Sequence, residues 1–238
     1  MSAPMARPRA RFLVRTAPLV VIAAGAVAAC SASKDTPPDF PDPDVAAHET
    51  NPDGLAYPTD HLGGTPHHSK IAGDRIPNFT FQAYVDGDRA AGLKTISLAD
   101  YFDPQQKRNK VLHIEVSAVW CTICSSVTNA TVKIKEELAK EGVVYLEVMT
   151  AGSRPGAGPS LGEVDDWVTR HQSNLTTGID VSCRRLGSIG VDPGIRPWDI
   201  VVDTRTMEIL ESSGGSPIDV ATYDRSYLKV VASYAPAY

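Results

Sequence analysis

The amino-acid sequence predicts an α/β fold with a central mixed sheet flanked by helices. Residues 111–120, 143–149 and 200–202 are mostly apolar or β-branched, which is typical of strands buried in a core. Segments with apolar residues at helical spacing follow these runs. Strand and helix therefore alternate along the chain, and this pattern favours helices packed against a sheet.

A hairpin precedes the first of these buried strands. The sequence predicts a strand over 78–85, a turn over 86–88 and a returning strand over 95–98, followed by a helical turn at 99–102. We expect this β-hairpin to be an N-terminal extension of the sheet.

Three helices are predicted around the remaining strands, over 125–141, 160–171 and 217–233. Gly142 ends the first helix as a C-terminal cap, and Ser160 with Glu163 forms a capping box that opens the second. Before the third helix, the strand at 200–202 turns at 203–206 and pairs with an edge strand over 207–212. The positions expected to face the core are Val127, Ala130, Ile134 and Leu138 in the first helix, Leu161, Val164, Trp167 and Val168 in the second, and Val220, Tyr223, Leu228 and Val231 in the third.

Two cysteines lie where the longest buried strand meets a helix. The sequence there is Trp120-Cys121-Thr122-Ile123-Cys124. Cysteines at this spacing can close a small disulfide ring, and the dipole and unpaired N–H groups of a helix N-terminus favour a thiolate on the first sulfur. Because the thiolate is the attacking species in thiol–disulfide exchange, the motif predicts a redox protein.

The N-terminus predicts export from the cytoplasm. Four arginines and no acidic residue precede an apolar run over 17–29. That run is shorter than the ~20 residues that span a bilayer as a helix, so residues 1–29 are predicted to be a secretory signal. We exclude this segment from the fold.

The signal ends in Val27-Ala28-Ala29-Cys30, which resembles the lipobox of bacterial lipoproteins. The resemblance implies cleavage before Cys30 and acylation of that cysteine, which would anchor the protein to a membrane of the cell envelope. An ordinary secretory peptide cleaved nearby is the alternative. In both cases the mature chain faces the periplasm or the exterior.

The charge of the mature chain argues against a nucleic-acid partner. Four of the 23 basic residues lie in the leader, so the mature chain would carry 19 basic and 28 acidic residues, a net charge of −9. An acidic surface also disfavours electrostatic attachment to anionic lipid.

Residues 30–75 are predicted to be the lipid anchor site followed by a disordered, acidic, proline-rich tether. Six prolines and seven acidic residues lie within 31–60 against one lysine, a composition that cannot bury enough apolar surface to fold alone. The histidines at 48, 61, 67 and 68 match no metal-ligand spacing, and we interpret them as solvated loop residues. The folded domain is then 76–238.

From residue 76 onward the order of elements resembles the thioredoxin superfamily, and in particular the membrane-anchored thioredoxin-like proteins of cytochrome c maturation. Four features carry the resemblance. They are the opening Pro77-Asn78-Phe79-Thr80 with Leu98-Ala99-Asp100-Tyr101, the Trp120–Cys124 motif, Pro197 ahead of the apolar run 200–202, and Glu115 six residues before the first cysteine.

The resemblance implies a role for each matched residue. Cys121 would be the exposed nucleophile, Cys124 the resolving thiol, and Trp120 would shield the pair. Pro197 would be a cis-proline beside the sulfurs. Glu115 would be the buried acid that accepts the Cys124 proton; its place in an apolar strand predicts a raised pKa, unless the strand turns it toward a polar partner or solvent.

Arg196, before Pro197, departs from the family, which usually has a small or β-branched residue there. A guanidinium beside the disulfide would stabilise the Cys121 thiolate and lower its pKa. The alternative is that Arg196 points to solvent or pairs with an acid. The Thr122-Ile123 dipeptide between the cysteines does not place the reduction potential.

Cys183 is left without an intramolecular partner once Cys30 is acylated and the motif pair is closed. A buried, inert thiol is the expected fate of such a residue. The alternatives are a third redox centre or an intermolecular link. His113 and Cys183 could also join the motif pair in a copper or zinc site, although the spacing does not show it.

These observations predict a membrane-tethered thiol–disulfide oxidoreductase of the cell envelope, with reduction of substrates favoured over oxidation. Its partners would be protein disulfides or dithiols, the membrane through Cys30, and a transmembrane electron donor; the resemblance implies no cofactor. Two alternatives remain open. One is a copper- or zinc-binding module that uses the same cysteines, and the other is a structural lipoprotein with a permanent disulfide.

Overall fold

The computed structural model describes residues 39–59, 73–154 and 156–234 of the 238-residue chain. These residues belong to one compact unit. The predicted leader, Cys30 and the histidines at 61, 67 and 68 lie outside the described residues. Within the described ranges, no helix is both long enough and apolar enough to cross a membrane.

A mixed sheet of seven strands runs through the described residues, in the order β2-β1-β5-β4-β3-β6-β7. The central strands β5, β4 and β3 are parallel, and the strands on either side of them pair antiparallel. This confirms the predicted mixed sheet and the hairpin, which is β1 with β2. The strands are β1 Thr80–Tyr84, β2 Lys94–Ser97, β3 Val111–Ala118, β4 Val143–Ala151, β5 Thr176–Ile179, β6 Trp198–Asp203 and β7 Glu208–Gly214.

The three predicted helices are present as α1 Thr122–Glu141, α2 Leu161–Arg170 and α3 Val220–Ser233. Ser160 and Glu163 form the predicted capping box, and Gly142 ends α1 in the left-handed conformation. Two core predictions are wrong: Ala130 is exposed, and Leu161 is 41 % exposed. Thr128 and Thr131 take the buried places on α1 because their hydroxyls bond to carbonyls one turn earlier.

Strand β5 was not predicted from the sequence. It has only four residues, Thr176–Ile179, and contains a glycine, so neither length nor apolar content marks it. Gly178 is needed because a Cβ there would lie 3.2 Å from the Cβ of Phe81 on β1. The tertiary contact, and not local propensity, therefore makes this segment a strand.

The two faces of the sheet are covered differently. Glu147 of β4 contacts α1 through Thr128 and α2 through Trp167, and Tyr145 contacts Asp224 of α3, so the odd-numbered residues face the helices. The even-numbered residues of β3 and β4 pack into an apolar cluster with loops and short 3-10 helices. The redox motif lies where β3 leads into α1, on the helix side.

Residues 39–59 differ from the expected tether because they pack against the domain. Phe40 and Tyr57 are buried at 8 % and 6 % exposure. The buried Asn51 side chain donates to the Phe102 carbonyl over 2.9 Å, and Arg185 donates to both carboxylate oxygens of Asp42 at 2.8 Å. A few anchoring side chains thus order a segment whose average composition predicts disorder.

Candidate redox site

Cys121 and Cys124 form a disulfide at the N-terminus of α1. Cys121 is the N-cap residue, and its sulfur accepts a hydrogen bond from the Cys124 backbone N–H over 3.0 Å. Strand β3 ends at Ala118, whose carbonyl accepts from the Cys121 N–H, so a tight turn delivers the first cysteine to the helix start. When the pair is reduced, this geometry favours a thiolate on Cys121.

Cys121 is less exposed than the sequence predicted. Cys124 has no exposed surface and Cys121 keeps 4 %, whereas the nucleophile was expected to be exposed. The cluster around them combines α2 side chains such as Trp167, the half-buried Trp120 and Phe40 of the N-terminal segment. Trp120 packs against the cluster that contains both cysteines, and its shielding role stays a prediction.

Pro197 lies at the same end of the sheet as the cysteines, and the Arg196–Pro197 peptide is cis. Strand β6 begins at Trp198, which pairs with Val116 near the end of β3, so the residue before Trp198 lies beside the exit of β3 toward the cysteines. The Pro197 carbonyl accepts from the Gly215 N–H over 3.0 Å. The expected cis-proline is therefore present next to the disulfide-bearing turn.

Glu115 lies in the middle of β3, buried at 4 % exposure on the helix-facing side of the sheet. Its carboxylate accepts from the Ser117 hydroxyl over 3.1 Å. Burial, together with the neighbouring Glu147 and Asp199, raises the pKa of Glu115 well above its usual range, as the sequence predicted. The protonated form of this carboxyl is therefore favoured relative to an exposed glutamate.

The geometry can be compared with solved structures. The chain is similar to a Chlorobium tepidum protein described as a thiol:disulfide interchange protein, DsbE, with a TM-score of 0.52 and 17% identity over 68% of this chain and 99% of that one. It is similar to a Neisseria meningitidis protein described as a thioredoxin (0.50, 20%, covering 71% and 95%). It is also similar to Enterococcus faecalis AhpC (0.53, 14%, covering 70% and 96%). The chain has a thioredoxin-like fold.

The sequence itself matches no family model and no curated protein. At these identities the likeness to solved structures concerns the thioredoxin-like fold alone. The residues of this chain and their arrangement around the disulfide are what indicate its function.

Arg196 turns inward at the entry to the cis-proline of this thioredoxin-like domain. It is 9 % exposed; its Nε donates to the Thr150 hydroxyl over 2.8 Å and its Nη1 to the Asp192 carbonyl over 2.6 Å. Thr150 in turn donates to the Ser117 carbonyl at the end of β3. The guanidinium therefore ties the cis-proline loop to β3 and β4, and its influence on the Cys121 thiolate stays a prediction.

Glu147 is a second buried acid that sequence reasoning missed. It pairs in register with Glu115 across β3 and β4 and has no exposed surface. Its Oε1 lies 2.7 Å from the Thr128 hydroxyl and accepts from the Trp167 indole N–H over 3.0 Å. Burial raises the pKa of Glu147 to about 7, although these hydrogen bonds act to lower it. The sequence signal that could have identified it is a charged residue within the otherwise apolar strand Val143–Ala151.

His113 lies between two buried carboxylates on the same face. Its Nε2 is 2.9 Å from Asp199 and its Nδ1 is 2.8 Å from Asp224. Burial by itself lowers the pKa of His113, but Asp224 and Asp199 outweigh burial and raise that pKa well above its usual value. The imidazolium thus serves as the counterion of two buried acids.

Cys183 is a buried free thiol on the opposite face of the sheet. Burial raises its pKa, partly opposed by the charge and hydrogen bond of Arg196. The structure assigns Cys183 and His113 to different neighbourhoods from the disulfide, since His113 is engaged by Asp199 and Asp224. Within the described ranges, no group of three or more histidine, cysteine or carboxylate side chains is arranged so that it could hold a metal ion.

Proposed function

We propose that this protein is a thiol–disulfide oxidoreductase that acts on protein disulfides outside the cytoplasm. The observation that carries the proposal is the Cys121–Cys124 disulfide at the N-terminus of α1, beside the Arg196–Pro197 turn. A helix N-terminus activates the first sulfur, and a disulfide between residues three apart opens and closes with little movement of the chain.

The exchange proceeds in two steps. The Cys121 thiolate attacks one sulfur of a partner disulfide, forms a mixed disulfide and releases the other partner sulfur as a thiolate. The Cys124 thiolate then attacks Cys121, which breaks the mixed disulfide and releases the second partner thiolate. Two electrons pass from the dithiol to the partner, and the Cys121–Cys124 bond forms.

Glu115 is the proposed proton acceptor of this exchange. The Cys124 thiol must lose its proton before it attacks, and Glu115 lies in the buried strand that leads to the motif. The raised pKa of its carboxyl lies closer to that of a thiol than an ordinary glutamate pKa does, which favours proton exchange between the two groups. Trp120 and Pro197 would shape the surface that the partner meets.

Apolar side chains around the site favour a protein partner. Ile123 between the cysteines is 56 % exposed, Ile195 before the cis-proline is 45 % exposed, and Ile218 is fully exposed. Ile123 and Ile218 line the same shallow groove, of about 280 Å³, beside the start of α1. Exposed apolar patches of this kind mark contact surfaces, and an extended chain around a partner cysteine would cover them.

The location belongs to the proposal as well. The leader over 1–29 and the lipobox at Cys30 support a lipid-anchored protein of the cell envelope that faces the periplasm or exterior. Reduction of substrates there would need electrons from a transmembrane donor. The stretch between Cys30 and the packed segment at 39–59 would then be the spacer.

Trapping of a mixed disulfide tests the proposed function. In a Cys30→Ser, Cys183→Ser background, Cys124→Ser should accumulate a covalent complex with a reducible protein partner through Cys121, and Cys121→Ser should not. Non-reducing electrophoresis with mass spectrometry checks the linkage. A disulfide that resists reduction and yields no complex would instead identify a permanent staple, and stoichiometric copper or zinc without dithiol turnover would identify a metal-binding module.

A further inference from the structure

The proposed exchange leaves Glu147 unused, although it is buried and contacts the helix that carries both cysteines. We propose that Glu147 is a positioning residue of the redox site, whose charge controls, through the Thr128 hydroxyl and Glu115, how readily the Cys124 thiol releases its proton. The inference rests on the proposed function, since it concerns the same dithiol.

The Thr128 hydroxyl links Glu147 to the helix that carries the redox motif. The Thr128 hydroxyl lies 2.7 Å from Glu147 Oε1 and 3.0 Å from the Cys124 carbonyl oxygen, yet it has one hydrogen to donate. When Glu147 is ionised, that hydrogen turns to the carboxylate. When Glu147 is protonated, the carboxyl can donate to Thr128, whose hydrogen then turns to the Cys124 carbonyl. The charge of Glu147 thereby determines whether the backbone carbonyl of Cys124, the residue that carries the resolving thiol, accepts a hydrogen bond from Thr128.

Glu147 and Glu115 also act on each other directly. They are cross-strand partners in β3 and β4, both buried on the same face, and the Ser117 hydroxyl interacts with both. Two neighbouring carboxyls in an apolar interior disfavour each other's ionised form, so they titrate as a pair. Ionisation of Glu147 therefore raises the affinity of Glu115 for a proton.

Each element packed against Glu147 and Glu115 contributes a polar or ionisable group that affects the protonation of this carboxyl pair. Glu147 faces Glu115 on β3, Thr177 on β5, Thr128 on α1 and Trp167 on α2. Behind Glu115 lies Asp199 on β6, which is paired with His113. The Oε2 atom of Glu147 is buried and has no hydrogen-bond partner, so the hydrogen bonds of this carboxyl to the helices are made at Oε1, with Thr128 and Trp167. With a pKa of about 7, Glu147 gains and loses a proton close to neutral pH.

The proton balance of the exchange then includes the pair. Before the second step, the Cys124 S–H gives its proton to the carboxyl pair, and the resulting thiolate attacks Cys121. The partner leaves as a thiolate and takes up a proton from solvent. The pair returns its own proton to solvent before the disulfide is reduced again.

The pH dependence of the reduction potential tests this inference on the full chain with Cys30→Ser and Cys183→Ser. In the parent and in the exposed control Glu136→Gln, the plot of potential against pH should bend near pH 7. One proton per two electrons changes the slope by about 30 mV per pH unit. The thiols of the reduced protein also bend this plot at their own pKa values, which alkylation measures independently. The bend assigned to Glu147 is the one that Glu147→Gln removes and Glu136→Gln retains, because the amide cannot ionise and donates permanently to Thr128 as the protonated acid does.

Thr128 supplies the second variant. Thr128→Val should shift the bend, because it removes the hydroxyl link while keeping the shape of the side chain, and Thr128→Ser should restore the parent profile. A Glu147→Gln profile that bends like the parent would overturn the inference while leaving the proposed function intact. Absence of any reversible dithiol couple in the parent would overturn both.

Discussion

Ionisable side chains are concentrated on the helix-facing side of the sheet, where water is excluded. One imidazolium offsets part of their charge, and the rest is relieved by raised carboxyl pKa values and by hydrogen bonds. Since each buried charge without a partner costs several kcal/mol, the stability of the domain depends on these pairings. The group comprises His113, Glu115, Glu147, Asp199 and Asp224.

Loss of the buried imidazolium should be strongly destabilising. His113→Gln leaves Asp199 and Asp224 without their cation, so we expect a loss of about 3–5 kcal/mol in the free energy of unfolding. His48→Gln is the matched control, because His48 makes a 2.9 Å contact with Asp100 at the surface and should lose less than about 1 kcal/mol. Urea unfolding at pH 6 measures both, and equal losses would contradict the account.

The stability of the protein should fall as pH rises from about 4.5 to 7. The pKa of Glu147 is raised to about 7 in the folded protein, so the folded state binds a proton that the unfolded chain has released. That contribution is complete below the ordinary glutamate pKa and is lost as pH approaches 7. Unfolding measured across this window should show a flatter profile for Glu147→Gln, and an unchanged slope would contradict the raised pKa.

Arg196 can be tested by titrating Cys121 in the reduced protein. If the guanidinium stabilises the thiolate, Arg196→Ala should raise the thiol pKa, measured from the pH dependence of alkylation. Equal pKa values in the parent and the variant would limit Arg196 to holding the loop through Thr150 and the Asp192 carbonyl.

At the scale of elements, the turn after β1 depends on a glycine for two separate reasons. Gly87 has φ +70°, and a Cβ there would lie 1.8 Å from the Ser173 carbonyl oxygen. Gly92 has the same φ but open space around it. Gly92→Ala should therefore cost only the backbone strain, about 1 kcal/mol, whereas Gly87→Ala should cost clearly more, about 3 kcal/mol. Thermal unfolding of both variants checks this, and similar losses would refute the clash.

The elements found from the sequence are those whose local pattern agrees with the tertiary structure. Strands β3, β4 and β6 are apolar runs, and a capping box in the sequence marks the start of α2. Strand β5 exists because Gly178 fits under Phe81, a contact that no local window contains. The cysteines of the site follow from motif and spacing, and the proline from resemblance. The place of Glu147 beside Glu115 follows from the register of β3 with β4, which no local stretch of sequence contains.

At the scale of the whole molecule, the N-terminal segment over 39–59 belongs to the folded unit. Phe40 packs in the cluster that contains both redox cysteines, and its N–H donates to the Pro159 carbonyl over 2.6 Å. A segment anchored at so few points contributes stability through individual side chains. The prediction of a free tether failed here because average composition does not report single buried anchors.

Removal of one anchor tests this role. Phe40→Ala should lower the free energy of unfolding by about 3 kcal/mol, as for a buried aromatic side chain, and expose the segment to limited proteolysis. Leu55→Ala is the control within the same segment, because Leu55 is 40 % exposed and should change little. Cleavage of the parent within 39–59 as fast as of the variant would contradict the packed segment.

The central claim is that Cys121 and Cys124 form a reversible redox couple. The most direct measurement is the reduction potential of this pair in the protein with Cys30→Ser and Cys183→Ser, equilibrated in redox buffers. We predict a two-electron couple with a potential near or below that of thioredoxin, about −270 mV, as a reductant requires. A disulfide that shows no reversible couple in any redox buffer would contradict the account.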